Sequence, residues 1–332
     1  MPPPGSSRRI WTPGTSPAAS NPAGCAPRQG RIPNPEGYAL LKTTTRYGLL
    51  AAFVLPALVI YVAFAVYPLF SSVWMSLFNS RAGGAFVGLD NYVHLFGDPY
   101  TSERFWNALI NNLEFFGIHL IVEVPVALLM AALLTSAPIR RSRGFYRTVL
   151  FIPATLSVVI VGFLWRLIIN PLWGLVSFPL LGDARTALPT ISMMSVWQYV
   201  GIPMIFLYTA LIAIPEELLE AAKLDGAGGV RQFWQIKFPL IAPQFGLIVI
   251  LTYIWTFNGF DIVYALNGSA PGPNYATDIL GTLFYRTFFG SSGQVADLDL
   301  GATTASVIFA IILITTAAYF AVLQRRIKQH EL

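Results

Sequence analysis

Apolar residues along this chain fall in long unbroken runs, with polar positions gathered between them. Six runs are long enough to cross a bilayer, which takes about 20 residues of helix. They are Tyr47–Phe70, Asn107–Leu134, Thr148–Ile169, Ile191–Ala213, Phe245–Leu266 and Gly301–Leu323. Continuous runs predict membrane helices and not barrel strands, whose lipid face would repeat every second residue. Two connections are long, Phe78–Trp106 and Asn267–Leu300, and carry Gly, Pro, Asn and aromatic residues. They read as docking surfaces or as ordinary spacers.

Composition agrees with the pattern. Charged residues make up 11% of the 332 and the apolar set 55%, where a soluble domain carries roughly 25% charge. So few charges could not coat a soluble protein, and disorder over most of the chain is excluded because disordered segments are polar and charge-rich. The placement of the charges adds direction. Sixteen of the 21 basic residues precede the first run, lie between runs two and three or four and five, or follow the sixth. Arg81, Arg104, Arg185 and Arg286 occupy the other side, and Arg166 lies near the outer end of the third run. Basic residues mark the cytoplasmic side, so an all-α integral membrane protein with six spans and both termini cytoplasmic is expected. The net charge of +5 is then a topology signal and gives no reason to expect nucleic acid.

Residues 1–41 stand apart. Nine prolines lie between Met1 and Pro35, and no apolar core follows that would make a signal peptide. Arg8-Arg9 is followed by Trp11-Thr12-Pro13-Gly14, not by the apolar run of a twin-arginine signal. The segment is expected to be a disordered cytoplasmic tail, with a mis-assigned start codon as the alternative. Residues 42–332 form the transmembrane domain.

Little in the chain suggests catalysis. A single Cys25 excludes an internal disulfide framework, and His94, His119 and His330 have no zinc-type spacing. No GxxxxGK[ST] phosphate loop occurs, so ATP is not expected to be hydrolysed here. The second run holds Glu114, His119 and Glu123. His119 and Glu123 share a helix face, and intramembrane ionisable groups are candidates for a proton relay or for a simple pair.

The most informative segment is the connection 214–240. Pro215 suits a first helical position, and Glu216 and Glu217 suit the first turn, where the helix dipole favours negative charge. Gly226 is a natural stop. A second short helix, Val230–Lys237, is expected to end at Pro239. Glu220-Ala221-Ala222, then Gly226, then Ile236 and Pro239 resemble the EAA loop of ABC-importer permeases, with Phe238 where that family has Leu. Tyr67-Pro68-Leu69 with Ser76-Leu77, the Phe86–Tyr92 run and Phe151-Ile152-Pro153 are similar to the maltose and glycerol-phosphate branch, first-permease-like. The resemblance covers Arg46 to Lys328.

This resemblance implies a type I-like importer permease of the bacterial inner membrane, not an enzyme. It pairs with a second permease, a cytoplasmic ATPase dimer that binds ATP and Mg²⁺, and an extracytoplasmic solute-binding protein. This chain would have no cofactor or metal, and its cargo would be a sugar. Glu220 would contact the ATPase, Ala221 and Ala222 would form the close-packing face, Gly226 the turn, and Ile236 and Pro239 the rest of the coupling segment. Cargo contacts are expected in the fourth and fifth spans, where Trp197, Gln198, Gly201, Trp255, Phe257 and Asn258 lie, with Ser157 in the third. Aromatic rings and amides there suit sugar faces and hydroxyls, though Trp also forms interfacial belts. The competing readings are an ABC permease for a non-sugar solute, an ion-coupled secondary transporter, which would ordinarily show an inverted repeat, and a membrane enzyme, for which no catalytic constellation stands out.

Overall fold

In the computed structural model the described residues are 52–79, 83–136, 141–291 and 293–328, with side chains to residue 322. The expected tail at 1–41 and the start of the first apolar run lie outside them. The chain divides into two units, Met1–Val62 and Ala63–Leu332. The described part of the first is helical, with Phe53, Leu55 and Leu58 exposed.

Helix α1 spans Ala52–Met75 and contains a π-helical turn at Val62–Val66. A two-residue hairpin, β1 (Phe78–Asn79) against β2 (Ala85–Phe86), and a short helix α2 (Asp90–Gly97) follow. Then come α3 (Pro99–Leu134), α4 (Arg143–Thr155), α5 (Val158–Ile168), α6 (Ala187–Tyr199) and α7 (Gly201–Ile212). The connection holds α8 (Glu216–Leu224). It leads into α9 (Gly229–Phe257), α10 (Asp261–Asn267), α11 (Leu280–Phe289) and α12 (Leu298–Lys328). Helices α1, α3, α9 and α12 are each long and apolar enough to cross a membrane, and the pairs α4–α5 and α6–α7 meet the same test as bent spans.

The structure corrects three expectations. The third run is not one straight helix: α4 and α5 meet at 94°, because Leu156 and Ser157, three and four residues beyond Pro153, are both extended. The fifth run does not reach Leu266 as one helix. It stops at Phe257, and α10 restarts after a break at Asn258–Phe260. Nor does Pro239 end a short helix. Residues 229–257 are one helix, because a π turn at Phe233–Lys237 moves the Phe238 amide onto the Phe233 carbonyl. That wider turn carries the helix past a residue with no N–H to give. The milder bend of α6 on α7, 46°, lies three residues before Pro203, which cannot bond back to the Tyr199 carbonyl.

Two of the long connections are structured. Asn91 donates to the carbonyls of Ser76 (2.8 Å) and Phe78 (2.9 Å), and Ser76 Oγ meets the Tyr92 hydroxyl at 2.7 Å. These residues of the family-like runs therefore stitch the end of α1 to α2. Three apolar clusters hold the rest. One joins the Val124–Leu134 part of α3 to α7 and α9. A second joins Phe115, α5, α6 and α10. The third joins α2, the start of α3, α9 and α11, with α12 packed against it.

Two consequences can be measured. A Cβ at Gly201 would stand 2.5 Å from the Leu150 carbonyl oxygen, so Gly201→Ala should cost about 1–3 kcal/mol by overpacking and lower the melting temperature of the detergent-solubilised protein. Asp98 caps α3 by accepting from the Thr101 (3.0 Å) and Tyr100 (3.1 Å) amides. The Thr101 amide holds its carboxyl below the ordinary value against some desolvation, helped by His94. A depressed carboxyl contributes stability above its ordinary pKa of about 4 and loses it as pH falls. The protection of the Tyr100 and Thr101 amides relative to their intrinsic exchange rates should therefore fall on acidification, and not in Asp98→Ala.

Candidate functional site

Helix α8 has one side open to solvent and the other against the bundle. Glu216 and Glu217 occupy its first turn, and Pro215 is the residue immediately before it. Its far end closes as a Schellman motif: the Ala227 amide reaches the Ala222 carbonyl (2.9 Å) and the Gly226 amide the Lys223 carbonyl (3.0 Å). Gly226 has φ +77°, the left-handed conformation this motif needs. Buried Gln232 then donates to the Ala227 carbonyl at 3.0 Å and ties the turn to α9.

Glu220 and Ala221 are exposed, whereas Ala222 is turned inward and buried. The two alanines thus do not share one face. Among the described residues Glu220 has no hydrogen bond or ion pair. Ile236 lies half-buried in the π turn, and Pro239 is exposed. A groove of about 990 Å³ runs between α3 and the start of α9, walled by Leu128, Leu129, Phe233 and Trp234 with Glu220 at its edge. Leu219 of α8 and Phe233 and Phe238 of α9 pack on the cluster that includes Val124, Met204, Leu207 and Ile248. A force on α8 is therefore delivered to α3, α7 and α9 through close-packed side chains.

Higher along the same helices lies a groove of about 450 Å³. Glu123, Tyr199, Thr252, Trp255 and Asn258 supply its polar and aromatic lining, and Ile202 and Phe206 part of its apolar wall. The Trp255 ring stands 4.8 Å from Tyr199 and 5.4 Å from His119. The structure thus brings Trp255 and Asn258 together and adds Tyr199 and Thr252.

The other residues expected on a pathway lie elsewhere. Phe257 is buried against Tyr253 at 4.4 Å. Gln198 is buried and donates to the Leu156 carbonyl (3.2 Å) at the α4–α5 break. Trp197 packs edge-on against Trp165 at 5.5 Å. Gly201 is the close crossing already described, and Ser157 is exposed at the start of α5. His119 sits in a π turn at His119–Glu123, 3.9 Å from Glu123. Glu114 is exposed and apart from them.

Three amides passed over in the sequence hold the far end. Asn107 and Asn111 donate to the Tyr275 carbonyl (3.0 and 2.9 Å), and Asn111 also to that of Asp278 (2.9 Å). Asn112 donates to the Thr256 carbonyl and accepts from the Leu280 amide, both at 3.3 Å. Their shared face on an apolar helix was the available signal. Asp278 pairs with buried Arg286 and accepts from Thr282 (2.8 Å). Burial pushes the Asp278 carboxyl upward, and the Arg286 charge opposes it. Among the described residues no three His, Cys, Asp or Glu side chains converge to hold a metal.

Residues 123–329 match the family described as binding-protein-dependent transport system inner membrane component. The chain is 34% identical over 273 residues to the probable ABC transporter permease protein YurN of Bacillus subtilis (strain 168), covering 76% of this chain and 91% of that one. It is 33% identical over 290 residues to the sn-glycerol-3-phosphate transport system permease protein UgpA of Agrobacterium fabrum, covering 82% and 94%. A crystal structure of a bacterial ABC transporter that imports the acidic polysaccharide alginate contains a chain of the same fold, with TM-score 0.69 and 24% identity over 85% of this chain and 99% of that one. The chain belongs to the binding-protein-dependent ABC-transporter permeases: it is a non-enzymatic membrane-spanning subunit.

Gly226 has open space around its Cα, so only its backbone conformation resists substitution. Gly226→Ala should cost about 1–2 kcal/mol locally, and amide exchange at Ala227 should rise while melting of the whole protein changes little.

Proposed function

We propose that this chain is one of two permease subunits of an ATP-driven sugar importer. In this reading it crosses the bacterial inner membrane six times, with α4–α5 and α6–α7 each counted as one span and both termini cytoplasmic. The basic residues on the α8 side support that orientation. Helix α8 with Glu220, Ala221, Ala222 and Gly226, continued through Ile236 and Pro239, docks into a cytoplasmic ATPase dimer that binds ATP and Mg²⁺. Closure of that dimer pushes α8, and the packed cluster behind it turns α3, α7 and α9 together, which alternates access to the groove at Trp255.

A solute-binding protein delivers the cargo from outside. One of the similar structures is titled as an alginate transporter in complex with a pentasaccharide-bound periplasmic protein, which supports the same arrangement here. The sugar reading rests on polyhydroxylated cargoes in the relatives' names and on a groove that pairs an indole ring with amide and hydroxyl groups. Trp197, Gln198, Gly201, Phe257 and Ser157 then act behind the pathway or on the face shared with the second permease.

The observation that carries the coupling role is an exposed, unpaired Glu220 on a helix whose other side is seated in the core. In the assembled transporter, Glu220→Ala should lower binding-protein-stimulated ATP hydrolysis at least tenfold with an unchanged melting temperature. Normal stimulation in that variant would end the proposal, and sugar uptake by liposomes holding this chain alone would favour a secondary transporter.

A further inference from the structure

We propose that the groove beside Trp255 takes an uncharged polyhydroxylated solute and discriminates against phosphorylated or acidic ones, with Glu123 as its specificity-determining contact. This rests on the permease reading and narrows it. Glu123 lines the groove and is only 4% exposed, yet it makes no hydrogen bond among the described residues. His119 Nε2 lies 3.9 Å from its Oε2, and that ring is already engaged. His119 Nδ1 lies 2.8 Å from the Phe115 carbonyl and Nε2 lies 2.9 Å from Ser195 Oγ. A carbonyl only accepts, so Nδ1 carries the proton and Nε2 accepts from the Ser195 hydroxyl. The buried carboxyl of Glu123 therefore lacks a donor, which is costly unless something entering the groove supplies one.

The other polar groups match hydroxyl donors too. Asn258 uses its Nδ2 on the Ile254 carbonyl (2.8 Å) and leaves its oxygen free to accept. Tyr199 and Thr252 carry hydroxyls that both give and accept. Trp255 offers a flat face to an apolar ring surface. Among the described residues no lysine or arginine lines this groove, and Asp261 acts electrostatically on Tyr199 from α10. A phosphate or carboxylate would meet acceptors without a counter-charge, whereas a neutral sugar would supply the missing O–H groups.

The test uses the complete transporter, with its second permease, ATPases and binding protein, in proteoliposomes. Radiolabelled neutral mono- and disaccharides and sn-glycerol 3-phosphate serve as probes. A neutral sugar should be imported and the phosphate ester should not. Glu123→Gln and Glu123→Ala should lower the maximal uptake rate at least tenfold, and Glu123→Asp should restore part of it. The binding-protein concentration that half-stimulates ATP hydrolysis should be unchanged in all three, which establishes that the variants fold and couple. Preferential uptake of glycerol 3-phosphate, or unchanged sugar uptake in the Gln and Ala variants, would overturn the assignment. Absence of any binding-protein-dependent ATP hydrolysis in the unsubstituted complex would instead refute the permease reading beneath it.

Discussion

The structure depends on one constraint: a backbone polar group freed inside an apolar segment has no water to turn to. This chain breaks its apolar helices repeatedly, and side chains from neighbouring helices meet the groups released. The Leu156 carbonyl at the α4–α5 corner takes the Gln198 amide. The Thr256 carbonyl in the last turn of α9 takes Asn112, whose oxygen in turn receives the first amide of α11. Helix α3 is thus the spine to which the broken elements are fastened, by amides at one end and by apolar packing at the other.

The same constraint explains how the chain can be both rigid and movable. Alternating access requires helices that bend at defined places and stay intact between them. The breaks concentrate the bending, and the π turns at His119–Glu123 and Phe233–Lys237 shift helix phase without exposing backbone. Helix α8 stands outside this bundle, and its Schellman end makes it a short rigid body. Leu219, Ala222 and Gln232 attach it to the rest of the fold.

Much of the fold was legible because long apolar runs have few alternatives to membrane helix. The 214–240 connection was legible as structure because helix starts and stops are local: Pro215, Glu216 and Glu217 begin α8, and Gly226 ends it with its positive φ. The lining of the groove at Trp255 was only partly legible. Trp255 and Asn258 do line the groove, but Gln198 and Phe257 belong to the same sequence clusters and are buried in packing. Neighbours in sequence point to different sides of a helix, and no local rule tells which side faces a cavity. Glu123 and Tyr199, 76 positions apart, share one lining only because α3 and α6–α7 cross.

By itself, then, the sequence determined the membrane class and the start and glycine stop of α8, since each follows from composition or from contacts within a few residues. Tertiary structure alone decided that a helix runs on past a proline expected to end it, as at Pro239. It alone decided which buried polar groups find partners. Those outcomes depend on what lies at the point of contact: an amide for Leu156, a wider turn before Pro239, and, among the described residues, no hydrogen-bond donor for the carboxyl of Glu123.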